Sequence, residues 1–374
     1  MFVLIAFFAI VLFLSSNFYL AWRIASLLRS FFTYRKRYDV IVYTALGVLA
    51  LVLILGIVTD IRLFGVISAL YLGIWINLLL SALICELVFF MVRLFTKDKS
   101  LKTVRMIHGG VALALPIILS FYGFMNAAIV KKTEYSLEVP TLREELKIVM
   151  LSDLHLGAVG SEAKLERWVE AINEESPDIV LIAGDLIDSN YGKIQDPERA
   201  EALLASISAK YGVYACLGNH DAGKTYKDML SFFVRANITV LQDEYVVIDD
   251  SLVLVGRRDL SPIGGTADEH RMDTDAVLGN LPDLDLPIIV MDHNPSDIHS
   301  YDERVDLIVS GHTHKGQVFP ANFVTNMIYT VDYGIYRQDE TSPYVIVSCG
   351  IGGWGMPMKT AGHSELVIIT MKNQ

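Results

Sequence analysis

Hydrophobic positions divide the chain into two regimes. Four long apolar stretches lie within the first 130 residues, at 2–22, 40–59, 63–92 and 107–130. Because a helix needs about 20 mostly apolar residues to cross a bilayer, each stretch predicts one transmembrane helix. From residue 146 the apolar residues instead form short β-branched runs separated by amphipathic segments, which is typical of an α/β domain. The pattern predicts a four-helix membrane anchor over 1–130, a linker over 131–145 and a folded domain over 146–374.

Ten short runs in the second regime predict strands, at 147–152, 178–183, 213–217, 238–241, 245–248, 252–255, 287–291, 306–310, 344–348 and 365–370. The segment 161–175 predicts a helix, since Leu165, Trp168, Val169 and Ile172 recur at helical spacing. Strands that alternate with helices and then follow one another closely favour two packed sheets with helices outside.

Charge separates the same two regions. Residues 1–130 hold 11 Lys+Arg and 4 Asp+Glu, whereas the remainder holds 20 and 38, a net charge of −18. This acidic balance excludes a nucleic-acid binder that relies on a basic surface, so no nucleic-acid partner is expected. Three widely spaced cysteines exclude a disulfide framework and a Cys-rich zinc site. Any metal would have to be held by His, Asp and Asn.

Basic residues in the short loops predict the orientation of the anchor, because Lys and Arg beside spans are retained in the cytoplasm. Ten lie in the loops after the first and third spans: Arg23, Arg29, Arg35, Lys36, Arg37, Arg93, Lys97, Lys99, Lys102 and Arg105. The opposite side has three: Arg62, Lys131 and Lys132. We therefore expect a multi-pass cell-membrane protein with the folded domain outside the cytoplasm.

One carboxylate, Glu86, lies well inside a predicted span. An acidic residue at this depth is either functional or reaches back toward the basic end at Arg93, and the sequence leaves both readings open. Polar residues are otherwise scarce in the spans, so the block is predicted to be an anchor rather than a transporter or channel.

Polar side chains follow five of the predicted strands. These are Asp153 and His155; Asp185 and Asp188; Asn219, His220 and Asp221; Asp292 and His293; and His312 and His314. In α/β sheets, ligands bind at the carboxyl ends of the strands. Any one of these motifs is explained by a turn, but turns have no need of His at four of five places. Together the motifs predict a metal centre.

The ordered motifs Asp-x-His, Gly-Asp, Gly-Asn-His-Asp, a lone His and Gly-His-Thr-His resemble those of the calcineurin-like metallophosphoesterases, over about 146–374. Within that superfamily, 152–156 and 312–317 are most similar to small bacterial membrane-associated or exported phosphoesterases. The resemblance implies a four-layer α-β-β-α sandwich. Those relatives usually have Arg where this chain has Cys349, so the substrate pocket is expected to differ.

The resemblance also implies two metal sites. One ion would be held by Asp153, His155, Asp185 and His314, and the second by Asp185, Asn219, His293 and His312. Asp185 would bridge the ions at about 3.5–4 Å, the spacing of two-metal hydrolytic sites. A nitrogen and oxygen ligand set suits divalent transition metals. Mn or an Fe-containing pair is our first expectation and Zn our second.

The implied reaction is hydrolysis of a phosphodiester or pyrophosphate bond by a hydroxide that bridges the metals. His220 lies outside the ligand set and is expected to act as a general acid or to stabilise the transition state. Asp188 is expected to orient His220, and Asp221 is either a second orienting residue or a helix N-cap. Asp292 is predicted to support His293 or to face solvent. Arg257 and Arg258 are either a phosphate clamp or surface charges.

Two other classes of protein remain open from the sequence: a non-catalytic sensor or binding protein, and a transporter with a regulatory domain. All seven ligand positions hold competent residues, which favours the enzyme. Membrane attachment favours a lipid-linked or envelope phosphate ester as substrate, an expectation that rests on analogy alone.

Overall fold

The computed structural model of the chain describes residues 2–31, 36–59, 61–95, 102–160, 162–266 and 270–373. Three residues of the predicted basic loops, Arg35, Lys97 and Lys99, lie outside these ranges, as does the first residue of the predicted helix 161–175. The chain forms two compact units, Met1–Phe124 and Met125–Gln374, which are described separately.

Long apolar helices make up the first unit: α1 (Phe2–Phe31), α2 (Lys36–Val58), α3 (Arg62–Phe95) and α4 (Lys102–Ala128), whose last turn belongs to the second unit. Each contains a segment that is long and apolar enough to cross a membrane. The four predicted spans are therefore found as helices. The helices extend beyond the apolar segments because their polar flanks also adopt helical backbone geometry.

Two polar side chains inside the first unit, Asn17 and Glu86, find partners there. Asn17 donates to the Leu46 carbonyl at 3.0 Å and accepts from the Tyr71 hydroxyl, which links α1, α2 and α3. Glu86 forms an ion pair with Arg23. An ion pair lowers the cost of a carboxylate in an apolar setting, so the reading in which Glu86 reaches back to Arg93 is not the one observed.

Two six-stranded sheets form the second unit. The first contains β1 (Val130–Glu138), β2 (Leu146–Leu151), β3 (Ile179–Ala183), β4 (Val213–Cys216), β5 (Ile238–Val240) and β12 (Ser364–Lys372). The second contains β6 (Glu244–Ile248), β7 (Leu252–Gly256), β8 (Ile288–Met291), β9 (Leu307–Ser310), β10 (Gly334–Tyr336) and β11 (Tyr344–Val347). The helices are α5 (Glu162–Glu174), α6 (Pro197–Ala205), α7 (Tyr226–Arg235), α8 (Thr274–Gly279) and α9 (Ala321–Ile328).

The strand order is β1-β12-β2-β3-β4-β5 in the first sheet and β10-β11-β9-β8-β7-β6 in the second. Strands β2 to β5 are parallel, and so are β7, β8, β9 and β11. Parallel pairing brings the carboxyl ends of neighbouring strands to one edge of each sheet. The loops that follow β2, β3 and β4 therefore lie side by side, as do those that follow β8 and β9.

Alternate residues of the strands face opposite layers. Met150 and Leu181 of the first sheet pack against Leu254 and Ile289 of the second, which forms the core between the sheets. Their sequence neighbours point outward instead, onto helices α5, α6 and α7 over the first sheet and onto α8 over the second. The predicted four-layer α-β-β-α sandwich is confirmed.

The predicted linker 131–145 is wrong for its first eight residues. Residues 131–138 belong to β1, which pairs in parallel with β12 along its whole length. This strand lies at the sheet edge and carries Lys131, Lys132 and Glu134, so its sequence lacks the apolar run that marks a central strand. Of the predicted linker, only residues 139–145 lie between strands, after β1 and before β2. The ten predicted strands are all present, with ends shifted by no more than two residues.

Arg257 is not available to bind substrate. Its side chain is fully buried, and its Nε donates to Asp243 Oδ1 at 2.8 Å while Nη2 donates to the Met272 carbonyl at 2.7 Å. Neither alternative from the sequence, a phosphate clamp or a surface charge, describes this residue. A buried ion pair satisfied in this way holds neighbouring segments together, because loss of one partner leaves an uncompensated charge.

Candidate metal centre

The loops after β2, β3, β8 and β9 are joined by backbone hydrogen bonds. Asp153 N donates to the Gly184 carbonyl and His155 N to the Asp185 carbonyl, both at 3.0 Å, and Gly311 N donates to the His293 carbonyl at 2.9 Å. These bonds satisfy buried amides where the sheets end. They also fix the positions from which the polar side chains project toward one another.

The first group of side chains brings three strand-end loops together. His155 Nε2 lies 3.2 Å from His314 Nε2, and His314 Nε2 lies 3.3 Å from Asp153 Oδ1. Asp185 Oδ2 is 3.7 Å from His155 Nε2. The donor atoms of Asp153, His155 and His314 lie within 4.8 Å of one another, close enough to share one ion.

The second group shares Asp185 with the first. His293 Nε2 lies 3.3 Å from both Asp185 Oδ2 and Asn219 Oδ1, and Asn219 Oδ1 lies 2.8 Å from His312 Nδ1. The structure therefore brings together all seven residues that the sequence nominated as metal ligands. A carboxylate between two groups of donors is the arrangement expected of a bridging ligand.

Two of the imidazoles and the shared carboxylate already have the protonation states that bind a cation. Burial lowers the pKa of His314 well below its ordinary value and that of His312 to about 4, so both imidazoles are neutral. Burial opposes the charge on Asp185, but the neighbouring His293 imidazolium outweighs it and holds the pKa of Asp185 far below its ordinary value. Burial likewise opposes the charge on His293 and His155, but nearby carboxylates outweigh it and raise the pKa of both rings, which would release their protons when a cation binds. Neutral imidazole and ionised carboxylate are the forms that coordinate metals.

His293 is also oriented for ligation from behind. Its Nδ1 lies 2.8 Å from the Ala183 carbonyl, which accepts a hydrogen bond from Nδ1–H. Nε2 therefore faces Asp185 and Asn219. Metal-binding imidazoles are usually held by such an outer hydrogen bond, which fixes the tautomer. Gly184 makes the approach possible, since a Cβ at this residue would lie 2.5 Å from His293 Nδ1. The donor set fits a divalent transition metal.

Five of the seven side chains are carried by backbone in the left-handed region: Asp153, His155, Asp185, His312 and His314, with φ between 48° and 70°. This conformation is uncommon for residues other than glycine and costs on the order of 1–3 kcal/mol each. Backbone strain that recurs at five converging side chains is typical of a functional site rather than of ordinary turns.

The chain is similar in sequence to known proteins. A profile described as calcineurin-like phosphoesterase matches residues 146–316. An uncharacterized metallophosphoesterase of Aquifex aeolicus is 31% identical over 265 residues, which cover 70% of this chain and 98% of the relative. A transmembrane protein with metallophosphoesterase domain of Danio rerio is 32% identical over 275 residues, covering 70% of this chain and 62% of the relative.

The chain belongs to the calcineurin-like metallophosphoesterases. The resemblance drawn from the sequence is confirmed, and with it the class of enzyme, a metal-dependent phosphoesterase. The His and Asp clusters described above are of a kind that could hold metal ions. The four apolar helices and the transmembrane relative together indicate a membrane protein.

His220 is not one of the seven expected ligands, but it lies beside the phosphoesterase centre, with a ligand atom within 4.8 Å of those of His155 and Asp188. Its Nδ1 is 2.6 Å from Ser189 Oγ and 3.4 Å from Asp188 Oδ1, and its ring is 6.0 Å from that of Trp354. Asp188 lies where the sequence expected an orienting carboxylate. Ser189 was missed because a serine after a Gly-Asp turn carries no signal that distinguishes it from other loop serines.

Asp221 does not contact His220, and its prediction as an orienting residue is wrong. Its carboxylate accepts hydrogen bonds from the amides of Ile187 at 2.8 Å, Gly218 at 3.0 Å and Leu186 at 3.1 Å. The helix N-cap alternative is wrong as well, since these amides lie in two strand-end loops. Asp221 joins the loop that carries Asp185 to the loop that carries Asn219.

Asp292 supports the site from the buried side and does not face solvent. It accepts from Arg271 at 2.9 and 2.7 Å and from the Tyr301 hydroxyl at 2.7 Å. The bidentate pair anchors the residue that precedes His293. No pattern in the sequence points to Arg271, which lies in a polar loop 21 positions away.

Cys349 is buried, and its thiol contacts the His363 carbonyl at 3.1 Å. Burial raises the pKa of this thiol to about 12, so it is neither a thiolate nor a nucleophile. The carbonyl groups of Cys349 and Gly350 accept from the buried Lys359 ammonium at 2.9 and 2.7 Å. This network holds the loop that packs against Asp153.

The contacts of Asp221 predict a structural phenotype. In Asp221→Asn an NH2 group replaces one acceptor oxygen and faces the backbone amide donors. We expect the free energy of unfolding to fall by about 1–3 kcal/mol and the melting temperature by about 5 °C. Thermal unfolding of the full chain in detergent, followed by tryptophan fluorescence, measures this change. The matched variant Asp188→Asn should instead lower turnover with a smaller thermal effect. Wild-type melting of Asp221→Asn would show that the loop contact is unimportant.

Proposed function

We propose that this chain is a membrane-anchored, dinuclear-metal phosphohydrolase that cleaves phosphodiester or pyrophosphate bonds. The observation that carries the proposal is the pair of donor groups that share the buried, ionised carboxylate of Asp185. A non-catalytic relative would tolerate loss of one or more donors, whereas all seven are present here and converge.

In this proposal one ion is held by Asp153, His155, Asp185 and His314, and the other by Asp185, Asn219, His293 and His312. Four imidazoles with oxygen donors and no thiolate suit Mn or an Fe-containing pair first and Zn second. When bound, such ions activate water for attack on phosphorus and neutralise charge on the phosphoryl oxygens.

His220 supplies the proton that the leaving oxygen requires. Burial lowers the pKa of His220, so the ring is neutral at pH 7. The ring must therefore take up a proton before it acts: the imidazolium then gives its Nε2 proton to the leaving oxygen and returns to the neutral form, with Nδ1 held by the Ser189 hydroxyl. Asp188, 3.4 Å from Nδ1, favours the cationic ring that forms if the proton is gained before it is given.

The proposed location is the cell membrane, with the phosphoesterase domain outside the cytoplasm. Ten basic residues in two loops against three on the other side support this orientation. Such a location supports a lipid-linked or envelope phosphate ester as substrate.

Metal content tests the two-ion proposal. The purified full chain loaded with Mn should contain two ions per chain by elemental mass spectrometry and hydrolyse bis-p-nitrophenyl phosphate. Asp185→Asn should lose metal and activity most severely, because the same carboxylate serves both ions. The exposed control Asp228→Asn should keep both. An active wild-type protein with a single ion would refute the proposal.

Replacement of His220 separates acid catalysis from metal binding. His220→Ala should keep its metal content while kcat falls about 10²–10⁴-fold, the range for a positioned acid. Esters with poor leaving groups should suffer more than those with good ones, since only the former need the proton. Loss of metal from this variant would place His220 among the ligands instead.

Reporter fusions test the orientation. Alkaline phosphatase fused at the C-terminus should be active, because this enzyme folds only after export, and a green fluorescent protein at the same place should be dark. A fluorescent fusion with a silent phosphatase would place the domain in the cytoplasm.

A further inference from the structure

Helix α9 presents an apolar face that nothing in the described part of the chain covers. Its exposed residues Phe323, Val324, Met327 and Ile328 recur at one-face helical spacing, and Met327 is 86% exposed. No residue of α9 is buried. Phe319, just before the helix, extends this face and stacks edge-on against Phe323. We name these five residues the α9 face.

The α9 face is fastened to the metal centre. Gly316, two residues after His314, has φ +72°, and a Cβ there would lie 2.2 Å from Asn322 N, so the first turn of α9 packs directly on the metal loop. Asp332 contacts both the metal loop and α9. Its carbonyl accepts a hydrogen bond from Thr313 Oγ1 at 2.6 Å, and its carboxylate accepts one from Thr325 Oγ1 at 2.7 Å. Motion of α9 away from His312 and His314 is thereby restricted.

The same loops bind the end of the last apolar helix. Asn126, in the turn of α4 that belongs to the second unit, donates to the carbonyls of Lys359 at 2.9 Å and Gly362 at 2.7 Å. Between those residues, Thr360 N donates to the Gln317 carbonyl at 2.9 Å, and Thr360 Oγ1 accepts from Phe319 N at 3.0 Å. The α9 face is therefore connected, through two short links, to the point where the chain leaves a candidate membrane span.

The segment around this face lacks the acidic residues that would repel lipid headgroups. The segment 315–331 contains no Asp or Glu and carries Lys315, in a region whose net charge is −18. A short helix with an apolar face, amide and hydroxyl groups on its other side and no acidic residue is suited to the headgroup boundary of a bilayer. A water-exposed apolar patch of this kind marks an interaction site.

We propose that the α9 face inserts into the headgroup region of the bilayer that anchors this chain, and that it brings phosphoester-bearing membrane lipids to the metal centre. The second half of this statement rests on the proposed function, whereas the insertion does not. The connection to the end of α4 selects the bilayer over a soluble protein partner. The link to His312 and His314 puts the lipid headgroups, rather than their acyl chains, beside the metal-binding loop.

Fluorescence quenching tests the insertion without reference to activity. Met327→Cys is labelled with an environment-sensitive fluorophore in the full chain, whose native cysteines are all buried. The protein is reconstituted into vesicles of phosphatidylcholine and phosphatidylglycerol that carry a nitroxide near the headgroup. The matched control is Val234→Cys, in α7, where the native side chain is 75% exposed. We expect about threefold stronger quenching at 327 than at 234, since an interfacial helix buries its apolar face within the nitroxide's reach.

Equal and weak quenching at the two positions would overturn the insertion. A label at 327 that is blue-shifted but unquenched would show that protein covers the α9 face, and would overturn it equally. Neither result depends on whether the enzyme hydrolyses any ester, so the test stands apart from that of the proposed function.

Turnover in vesicles tests lipid delivery. In Met327→Ser with Ile328→Ser, the ratio of turnover on a phosphodiester-headgroup lipid to that on soluble bis-p-nitrophenyl phosphate should fall about tenfold, which corresponds to about 1.4 kcal/mol. Val234→Ser should leave the ratio unchanged. An unchanged ratio in the double variant would overturn lipid delivery. A wild-type protein inactive on every ester would overturn the proposed function and delivery together, while insertion is decided by quenching.

Discussion

A carboxylate that stays ionised away from water needs partners on every side, and the buried Asp185 imposes this requirement on the whole phosphoesterase domain. Its oxygens lie 2.7 Å from the His220 amide, 3.3 Å from His293 Nε2 and 3.7 Å from His155 Nε2. These partners come from three loops that are distant in sequence. The site can exist only where the ends of β2, β3, β4 and β8 meet, and the sandwich of two parallel-rich sheets creates that meeting point.

The second requirement is that the loops cannot relax. Left-handed backbone at Asp153, His155 and Asp185 would return to more favourable conformations if the surroundings allowed it. Three sets of contacts prevent this relaxation. They are the backbone hydrogen bonds between loops, the three hydrogen bonds that Asp221 accepts from backbone amides, and the buried ion pair of Arg271 and Asp292. The domain spends folding stability to hold donor atoms in place before an ion arrives, which limits the reorganisation needed on binding.

Much of this arrangement could be predicted from the sequence, for a physical reason. Strands buried on both faces are continuous apolar runs, and the ligands follow them directly, so order along the chain maps onto order along the sheet edge. What escaped prediction lies at edges or in long-range contacts. β1 carries charges because one side of it meets water, and Ser189 and Arg271 act through partners far away in sequence. The amides that donate to Asp221 come from two loops that become neighbours only after the sheet has formed. The local sequence pattern does not predict contacts between residues that are distant in sequence.

The central claim is that two ions lie on either side of the Asp185 carboxylate. Crystals of the full chain grown with Mn and measured at the Mn absorption edge test this most directly. The account predicts two anomalous peaks about 3.5–4 Å apart, one beside His155 and His314 and the other beside His293 and His312. A single peak, or a peak at the separate cluster of Cys349, His363 and Glu365, would contradict it.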